Sequence, residues 1–240
     1  MKSLPLLKAS ILSLVLAATS QAAVIAAWDF DPMAGGTNNF GASPLSATTT
    51  FANVTAGGLT RGSGIGTTGT GAANGWGGND FVIVTPSFAT AVAANEFATF
   101  TIAPDADYEL SLSDIGAYNI RRSGTGPSTG QWQYQLNAGE FQDIGTAITW
   151  GAVTTSSGNA QASIDLTGIS ELQNIAADTT VTFRLVAWGA TNTGGTFYLN
   201  DPLNTSVIDF SLNGTVTAVP EPAAVLLGAI GFIGLLRRRR

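Results

Sequence analysis

The stretch Thr180–Trp188 (TVTFRLVAW) decides the fold class of this chain. Successive residues alternate between two faces, and most of them are β-branched, aromatic or aliphatic. One face is made by Val181, Phe183, Leu185 and Ala187. This pattern is typical of a β-strand that packs one face on a core. The stretch therefore predicts a protein built from strands.

The same alternation recurs on both sides of this stretch. Gln131–Leu136 (QWQYQL) alternates strictly, with Trp132 and Tyr134 facing inward. Further strands are predicted at Val24–Phe30, Thr49–Val54, Phe81–Val84, Phe97–Ile102, Tyr108–Leu112, Ile115–Ile120, Ala162–Leu166, Thr196–Leu199 and Val207–Leu212. Turns rich in Gly, Asn, Thr and Ser separate them, as in sandwiches and jelly rolls. We expect one all-β domain at residues 23–214, an antiparallel β-sandwich of jelly-roll-like type.

Three stretches lack the alternation. Ala34–Gly78 is low in complexity, which is typical of long loops over the sandwich or of partial disorder, and we expect loops with one strand near Thr49–Val54. Pro86–Glu96 is alanine-rich and is predicted as a loop or a short irregular piece. The only helix expected in this domain is a turn or two around Ser170–Ala176.

The residue types that are absent exclude several function classes. The 240 residues contain no Cys and no His, so disulfides, Cys/His zinc sites, Ser-His-Asp triads and cysteine nucleophiles are excluded. The net charge is −6, and no nucleic-acid role is expected because that role needs a basic face. Between the two ends lie only four basic residues, Arg61, Arg121, Arg122 and Arg184, against fifteen acids, which is a net charge of −11.

The N-terminus predicts a signal peptide at residues 1–22. Lys2 and Lys8 form a positive region, and Leu12–Ala18 (LSLVLAA) is a short apolar stretch. Small residues at Ser20 and Ala22 match what signal peptidase reads, so cleavage after Ala22 is expected. The mature chain would then fold outside the cytoplasm.

The C-terminus combines three parts after an expected linker at residues 215–218. Pro220, Glu221 and Pro222 come first, and the apolar run Ala223–Leu236 (AAVLLGAIGFIGLL) follows. The chain ends with Arg237, Arg238, Arg239 and Arg240. As a helix the run is about 21 Å long, short of the hydrocarbon core of about 30 Å. Snorkelling arginines and flanking residues can stretch it to a single membrane-spanning helix at 223–236, with the arginines in the cytoplasm.

This order of parts resembles the PEP-CTERM sorting domain of Gram-negative bacteria. The resemblance covers residues 219–240 and implies recognition by a membrane-embedded exosortase, with cleavage near Pro220-Glu221-Pro222. It also implies a precursor anchored in the inner membrane and then delivery to the cell surface or extracellular matrix. Proteins of this kind are associated with exopolysaccharide.

The domain itself resembles a recurring ectodomain type of PEP-CTERM proteins. The matching pieces are Ala27–Phe30, Leu59–Gly64, Arg121–Pro127, Thr182–Arg184, Trp188–Thr191 and Gly195–Phe197. That resemblance implies architecture and export, and it implies no activity.

Arg121 and Arg122 form the only basic pair of the acidic domain. A guanidinium can bind a carboxylate with two hydrogen bonds, for example on an acidic sugar. The alternative is that both arginines pair with the domain's own acids and hold a Gly-rich loop; Arg61 and Arg184 are interpreted in the same way. Trp76 and Trp150 lie near Gly-rich turns and are candidates for stacking on sugar rings, with core packing as the alternative. Trp28, Trp132 and Trp188 are predicted in the core.

Two further uses of the acids are open. Asp29, Asp31, Asn200 and Asp201 offer hard oxygen atoms for a structural Ca²⁺, although no EF-hand pattern is present and Asx turns explain them equally. A pair of carboxylates could serve a polysaccharide hydrolase. The four glutamates of the domain, Glu96, Glu109, Glu140 and Glu171, form no motif. We therefore expect a non-enzymatic surface or matrix protein without a required cofactor, with exopolysaccharide binding as the alternative and hydrolysis as a third hypothesis.

Overall fold

A computed structural model describes residues 22–202 and 208–220. The strands are β1 (Ala23–Trp28), β2 (Gly36–Thr37), β3 (Thr49–Thr50), β4 (Val54–Ala56), β5 (Thr60–Arg61), β6 (Thr70–Gly71), β7 (Gly75–Gly78), β8 (Phe97–Pro104), β9 (Tyr108–Ile115), β10 (Tyr118–Arg122), β11 (Thr129–Leu136), β12 (Gln142–Thr149), β13 (Asn159–Gln161), β14 (Ile164–Asp165), β15 (Val181–Trp188), β16 (Phe197–Asn200) and β17 (Phe210–Ala218). The helices are α1 (Phe88–Ala93) and a 3₁₀ helix at Ser170–Leu172.

The strands form several antiparallel sheets, consistent with an all-β sandwich. One sheet has the order β14-β9-β17-β1-β3, and a second has the order β12-β11-β15-β8-β4 with β5 also paired to β8. A third has the order β13-β10-β16-β7, and β2 pairs with β6. The fold class is therefore confirmed at the level of an antiparallel all-β protein, and the jelly-roll-like type stays a prediction.

The core lies where the first two sheets face each other. Phe210 of β17 is fully buried and stacks on Trp132 of β11, with 5.7 Å between ring centroids. Phe100 of β8 lies 5.1 Å from the Trp28 ring of β1 and 5.6 Å from Phe210. Tyr118 of β10 contacts Phe210 at 6.1 Å, so the third sheet joins the same core. These aromatic contacts from different sheets close the sandwich.

The stretch that predicted the fold forms the central strand β15. Its pairs are β11 on one side and β8 on the other. The four residues of its predicted inner face are at most 1% exposed. On its other face Trp188 contacts Phe88 of α1 edge-on, with 5.7 Å between centroids. Helix α1 covers part of that face, which carries Thr182, Arg184, Val186 and Trp188.

The loop expected at Pro86–Glu96 contains helix α1 instead. Ser87 and Thr90 form a capping box, in which Thr90 N donates to Ser87 Oγ at 3.3 Å and Ser87 N donates to Thr90 Oγ1 at 2.8 Å. Alanine favours helix once an end is capped. A capping box usually has glutamate at the third position of the helix, and here Thr90 occupies it. The sequence therefore did not indicate the start of this helix.

Other stretches also differ from the sequence predictions. The linker expected at residues 215–218 forms the end of β17, paired with Glu109 and Tyr108 among others on β9. No strand forms at the predicted Phe81–Val84. In this segment Phe81 is buried in the core, whereas Val84 is exposed. The edge strand β12 was not predicted, because only Ile144 of its residues is buried. The region Ala34–Gly78 carries six short strands rather than one, and Ala162–Leu166 is represented by β14 alone.

The two targeting segments fall largely outside the described residues. Residues 1–21 of the expected signal peptide lie outside them, as do Glu221, Pro222, the helix expected at 223–236 and the four terminal arginines. Across residues 22–202 and 208–220, no helix is long and apolar enough to cross a membrane.

Candidate functional site

The candidate site lies on the outer face of the third sheet, where β10 and β16 pair. In this antiparallel pair Ile120 lies opposite Leu199, and Arg121 lies opposite Tyr198. Alternation along β10 sends Ile120 into the core and Arg121 to the other face. Residues directly opposite each other share a face, so Arg121 and Tyr198 are neighbours.

A cavity of about 260 Å³ opens beside this pair. It is lined by the residues Thr70, Gly71, Ala72, Arg121, Arg122, Ser123, Thr154, Thr196 and Tyr198. Two arginines and five hydroxyl groups therefore meet in one cavity whose lining contains no acid. In a domain of net charge −11 this is a local reversal of charge.

Arg122 holds one wall of this cavity. Its Nε donates to the carbonyl oxygen of Pro127 at 2.6 Å, and its Nη2 donates to that of Gly126 at 2.7 Å. Ser123 adds a further link, since its Oγ accepts from Thr196 N at 2.9 Å. Partial burial of the Arg122 guanidinium lowers its pKa. Arg122 thus holds the Gly-rich loop, as the structural alternative predicted. Its partners are the carbonyl oxygens of Gly126 and Pro127 rather than acids.

Arg61 interacts electrostatically with Tyr198 and is held by backbone carbonyl oxygens. Its guanidinium donates to the carbonyl oxygens of Gly77, Phe40 and Gly41, and its Cζ lies 4.6 Å from the centroid of the Trp76 ring. Burial lowers the pKa of Arg61 to about 10, and the electrostatic interaction with Tyr198 opposes this. The residue is a buried cation solvated by the backbone.

Arg184 is likewise held by the protein, and it lies on another sheet from the cavity. Its Nε donates to Gln133 Oε1 at 2.6 Å, and its Cζ lies 3.6 Å from the Phe141 ring centroid. Burial lowers its pKa, against the nearby charge of Asp143. The pairing with acids expected for these arginines is thus replaced by carbonyl oxygens, an amide oxygen and aromatic rings.

Arg121 differs from the other three arginines. Its guanidinium makes no hydrogen bond or ion pair to another side chain or carbonyl among the residues the structure describes. Tyr198 beside it is buried, which raises the pKa of its hydroxyl, and the charges of Arg121 and Arg61 act against that rise. The Tyr198 oxygen already accepts from Ala72 N at 3.2 Å. Arg121 is therefore the cation that this cavity presents to solvent.

Trp76 is not the exposed stacking platform that its Gly-rich surroundings suggested. It is 1% exposed, and its Nε1 donates to the carbonyl oxygen of Ala42 at 2.6 Å. Gly75–Gly78 is a strand rather than a turn, and a Cβ at Gly77 would collide with the carbonyl oxygen of Phe197. The glycines serve close strand approach here. Trp150 is also buried and stacks on Phe197 at 5.0 Å, so neither tryptophan can stack on a sugar.

The acids proposed for calcium lie near one another, around Asp209. Burial, followed by the charges of Asp201, Asp29 and Asp31, raises the pKa of Asp209 to about 6. Asp29 Oδ1 accepts from Asp31 N at 2.9 Å, which is an Asx turn. In the part of the chain that is described, no group of three acidic side chains could hold a metal ion. The Asn200 side chain instead donates to the Ser156 carbonyl oxygen at 3.0 Å.

The four glutamates lie on separate elements. Glu96 follows α1, is 1% exposed and accepts from Val82 N; its burial raises its pKa. Glu109 lies on β9, Glu140 in the turn between β11 and β12, and Glu171 in the 3₁₀ helix. None of them lines the Arg121 cavity.

The comparisons with known proteins address the C-terminus. A family model described as the PEP-CTERM protein-sorting motif matches residues 218–240. The chain carries a PEP-CTERM sorting motif. It is therefore an exported protein with a C-terminal membrane-anchoring sorting signal, processed by an exosortase. No curated protein and no solved structure matches the chain.

The PEP-CTERM motif joins the fold directly at the end of β17. Ala218 is the last strand residue, and Val219 N still donates to the Asp107 carbonyl oxygen at 2.8 Å. Ala23 of β1 lies opposite Gly214 of β17, so the exposed Ala22 and the PEP-CTERM motif leave the sandwich at the same end. Both predicted processing points are thus close to one end of the domain.

Sequence reasoning named Arg121 and Arg122 but missed Tyr198 and the hydroxyl side chains around them. The only available signal was the alternation in Thr196–Leu199, which indicates the face of Tyr198 but not its partner. Arg121 and Tyr198 meet only through the pairing of β10 with β16.

Proposed function

We propose that the mature protein is a non-enzymatic component of the cell surface or extracellular matrix of a Gram-negative bacterium. The observation that carries this proposal is the PEP-CTERM motif at residues 218–240. In the proposed sequence of events, signal peptidase cleaves after Ala22. The helix at 223–236 then anchors the precursor in the inner membrane, with Arg237–Arg240 in the cytoplasm. Exosortase cleaves near Pro220-Glu221-Pro222 and releases the domain toward the surface.

The ends of the fold support both processing steps. Ala22 is exposed and directly precedes β1, so removal of residues 1–22 leaves the first strand complete. Val219 and Pro220 are exposed beyond β17. A protease acting at either point would therefore cut backbone that is outside the sheet.

The sorting proposal is tested by replacing Pro220, Glu221 and Pro222 with alanines in the native host. We expect the variant to accumulate as uncleaved precursor in the membrane fraction, and intact-mass measurement of both forms reports it. The matched control is Val219→Ala, which changes an exposed neighbour outside the tripeptide. Normal processing and localisation of the triple variant would refute the exosortase step, and an N-terminus other than Ala23 would refute the signal-peptidase site.

The proposed absence of catalysis rests on the residue types and on their placement. Histidine and cysteine are missing, and the glutamates lie on separate elements. Release of reducing ends from a polysaccharide by the purified protein, abolished by a single carboxylate substitution, would overturn this part of the proposal.

A second candidate function is binding of a polysaccharide such as exopolysaccharide. One observation favours it: Arg121 and five hydroxyl-bearing side chains line one cavity. Arg122 fixes the adjoining loop, so the cavity is preformed. The mature protein applied to a glycan array tests it, and retention on no glycan would count against it.

A further inference from the structure

We propose that the Arg121 cavity binds the carboxylate of an acidic sugar unit, a hexuronate within a polysaccharide. This inference rests on the proposed polysaccharide-binding function and adds the chemical class of the ligand. In this proposal the Arg121 guanidinium binds the carboxylate, and Tyr198 lies beside it.

The charge of the cavity selects an anion. Arg121 is unpaired in the described residues, whereas Arg122 donates to carbonyl oxygens in the same wall. Arg61 lies behind Tyr198, where carbonyl oxygens rather than carboxylates surround it. Three of the four arginines of an acidic domain therefore act on one small region. Such a local excess of positive charge attracts an anion even when the net charge of the protein is negative.

The single free guanidinium favours a carboxylate over a doubly charged group. A carboxylate carries one negative charge, and its two oxygens match the planar fork of one arginine. A phosphate monoester carries close to two charges at neutral pH. Since the other guanidinium of the lining already donates to Gly126 and Pro127, one unit of charge is left to neutralise.

The hydroxyl groups favour a ligand with many hydroxyl groups of its own. Each hydroxyl can both donate and accept a hydrogen bond. The oxygen of Tyr198 accepts from Ala72 N, and a side-chain hydrogen bond joins the same hydroxyl to Thr196, so the hydroxyl groups of this lining are already ordered. The volume of about 260 Å³ lies just below the range of about 300–1,000 Å³ for pockets that enclose drug-sized ligands. It fits one sugar unit of a longer chain.

The cavity lies away from the PEP-CTERM motif. Tyr108 of β9 lies opposite Ala218, and Ile115 lies opposite Leu212, so β9 runs away from the PEP-CTERM motif. Strand β10 follows directly, and Tyr118 at its start contacts Phe210 of β17. Eight residues separate Phe210 from Ala218, which is about 27 Å of extended strand. The cavity at the end of β10 thus lies nearer to Phe210 than to Ala218, where the PEP-CTERM motif begins.

The test compares oligogalacturonate with its carboxyl-reduced, neutral counterpart by titration calorimetry on the mature protein. We expect the neutral form to bind at least tenfold more weakly. Arg121→Gln should weaken oligogalacturonate binding at least tenfold, and Arg121→Lys should give an intermediate loss because lysine keeps the charge but not the fork. Arg184→Gln removes the same charge elsewhere and should change the affinity less than twofold. The melting temperature of each variant shows that it is folded, and Arg121→Lys decides if Arg121→Gln does not fold.

Carboxylate recognition and polysaccharide binding can fail separately in these experiments. Equal binding of the acidic and neutral glycans, or an unchanged affinity in Arg121→Gln, overturns the carboxylate assignment and leaves polysaccharide binding in place. Preference for a sulfated or phosphorylated glycan that depends on Arg121 also overturns the carboxylate. Retention of no glycan on the array refutes the binding function and this inference with it.

Discussion

Replacing Arg61 by alanine should lower the free energy of unfolding by about 3 kcal/mol, whereas replacing Arg121 by alanine should change it by less than about 0.5 kcal/mol. Both residues are arginines of the same acidic domain, and both act on Tyr198. The difference lies in what their guanidinium groups contact. Arg61 binds three carbonyl oxygens and a tryptophan ring, and Arg121 has no such partner in the described part of the chain.

The magnitude for Arg61 follows from opposing contributions. Three hydrogen bonds from a charged donor contribute about 1.5 kcal/mol each at the lower end of their range. The position over the Trp76 ring adds about 1 kcal/mol. Desolvation opposes them: a pKa lowered from 12.5 to about 10 corresponds to about 3 kcal/mol, which solvent screening of this half-buried group reduces to about 2.5 kcal/mol. The balance is a net stabilisation of about 3 kcal/mol.

The assay is urea unfolding of the mature protein at pH 7, followed by tryptophan fluorescence. For a domain of this size a loss of about 3 kcal/mol lowers the melting temperature by roughly 6–12 °C. Arg61→Lys keeps a charge but cannot reproduce the fork, so its stability should fall between wild type and Arg61→Ala. The reasoning is refuted if Arg61→Ala unfolds at the wild-type urea concentration, or if Arg121→Ala loses as much stability as Arg61→Ala.

Three further predictions concern Asp209 with its neighbouring acids, Phe210 in the core, and the capping residue of helix α1. Because the pKa of Asp209 is raised to about 6, its favourable contribution is lost as pH rises from about 4 through 6; Asp209→Asn should therefore match wild type at pH 4 and exceed it by about 1 kcal/mol at pH 7.5, after solvent screening, in urea unfolding. A difference that does not vary with pH would contradict this. Phe210→Ala should cost about 3–5 kcal/mol because the side chain is fully buried among four rings, and Phe210→Leu, the matched control, should cost clearly less in the same assay; equal losses would refute the packing argument. Ser87→Ala removes the capping acceptor of α1 and should cost about 1 kcal/mol, while Ser156→Ala, in an exposed loop where only the backbone carbonyl accepts a hydrogen bond, should leave the unfolding midpoint unchanged.

The fold class and the sorting motif follow from local patterns of residues. Period-two alternation in Thr180–Trp188 and Gln131–Leu136 places side chains on two faces of an extended chain, and this is a local property. Both stretches form neighbouring central strands, β15 and β11. The sorting motif is also local, since it consists of a short tripeptide, an apolar run and a basic end, and the family model matches the same residues.

Which side chains are buried in the fold and which face solvent depends on the pairing of distant strands. Trp76 has the same Gly-rich flanks as an exposed turn residue, yet strand pairing buries it. Arg61 and Arg121 are chemically identical, but one is surrounded by carbonyl oxygens and the other faces a cavity. Arg121 meets Tyr198 through the register of two strands that are distant in sequence. Burial, desolvation and hydrogen-bond partners depend on such distant pairings, and the local pattern of residues carries no information about them.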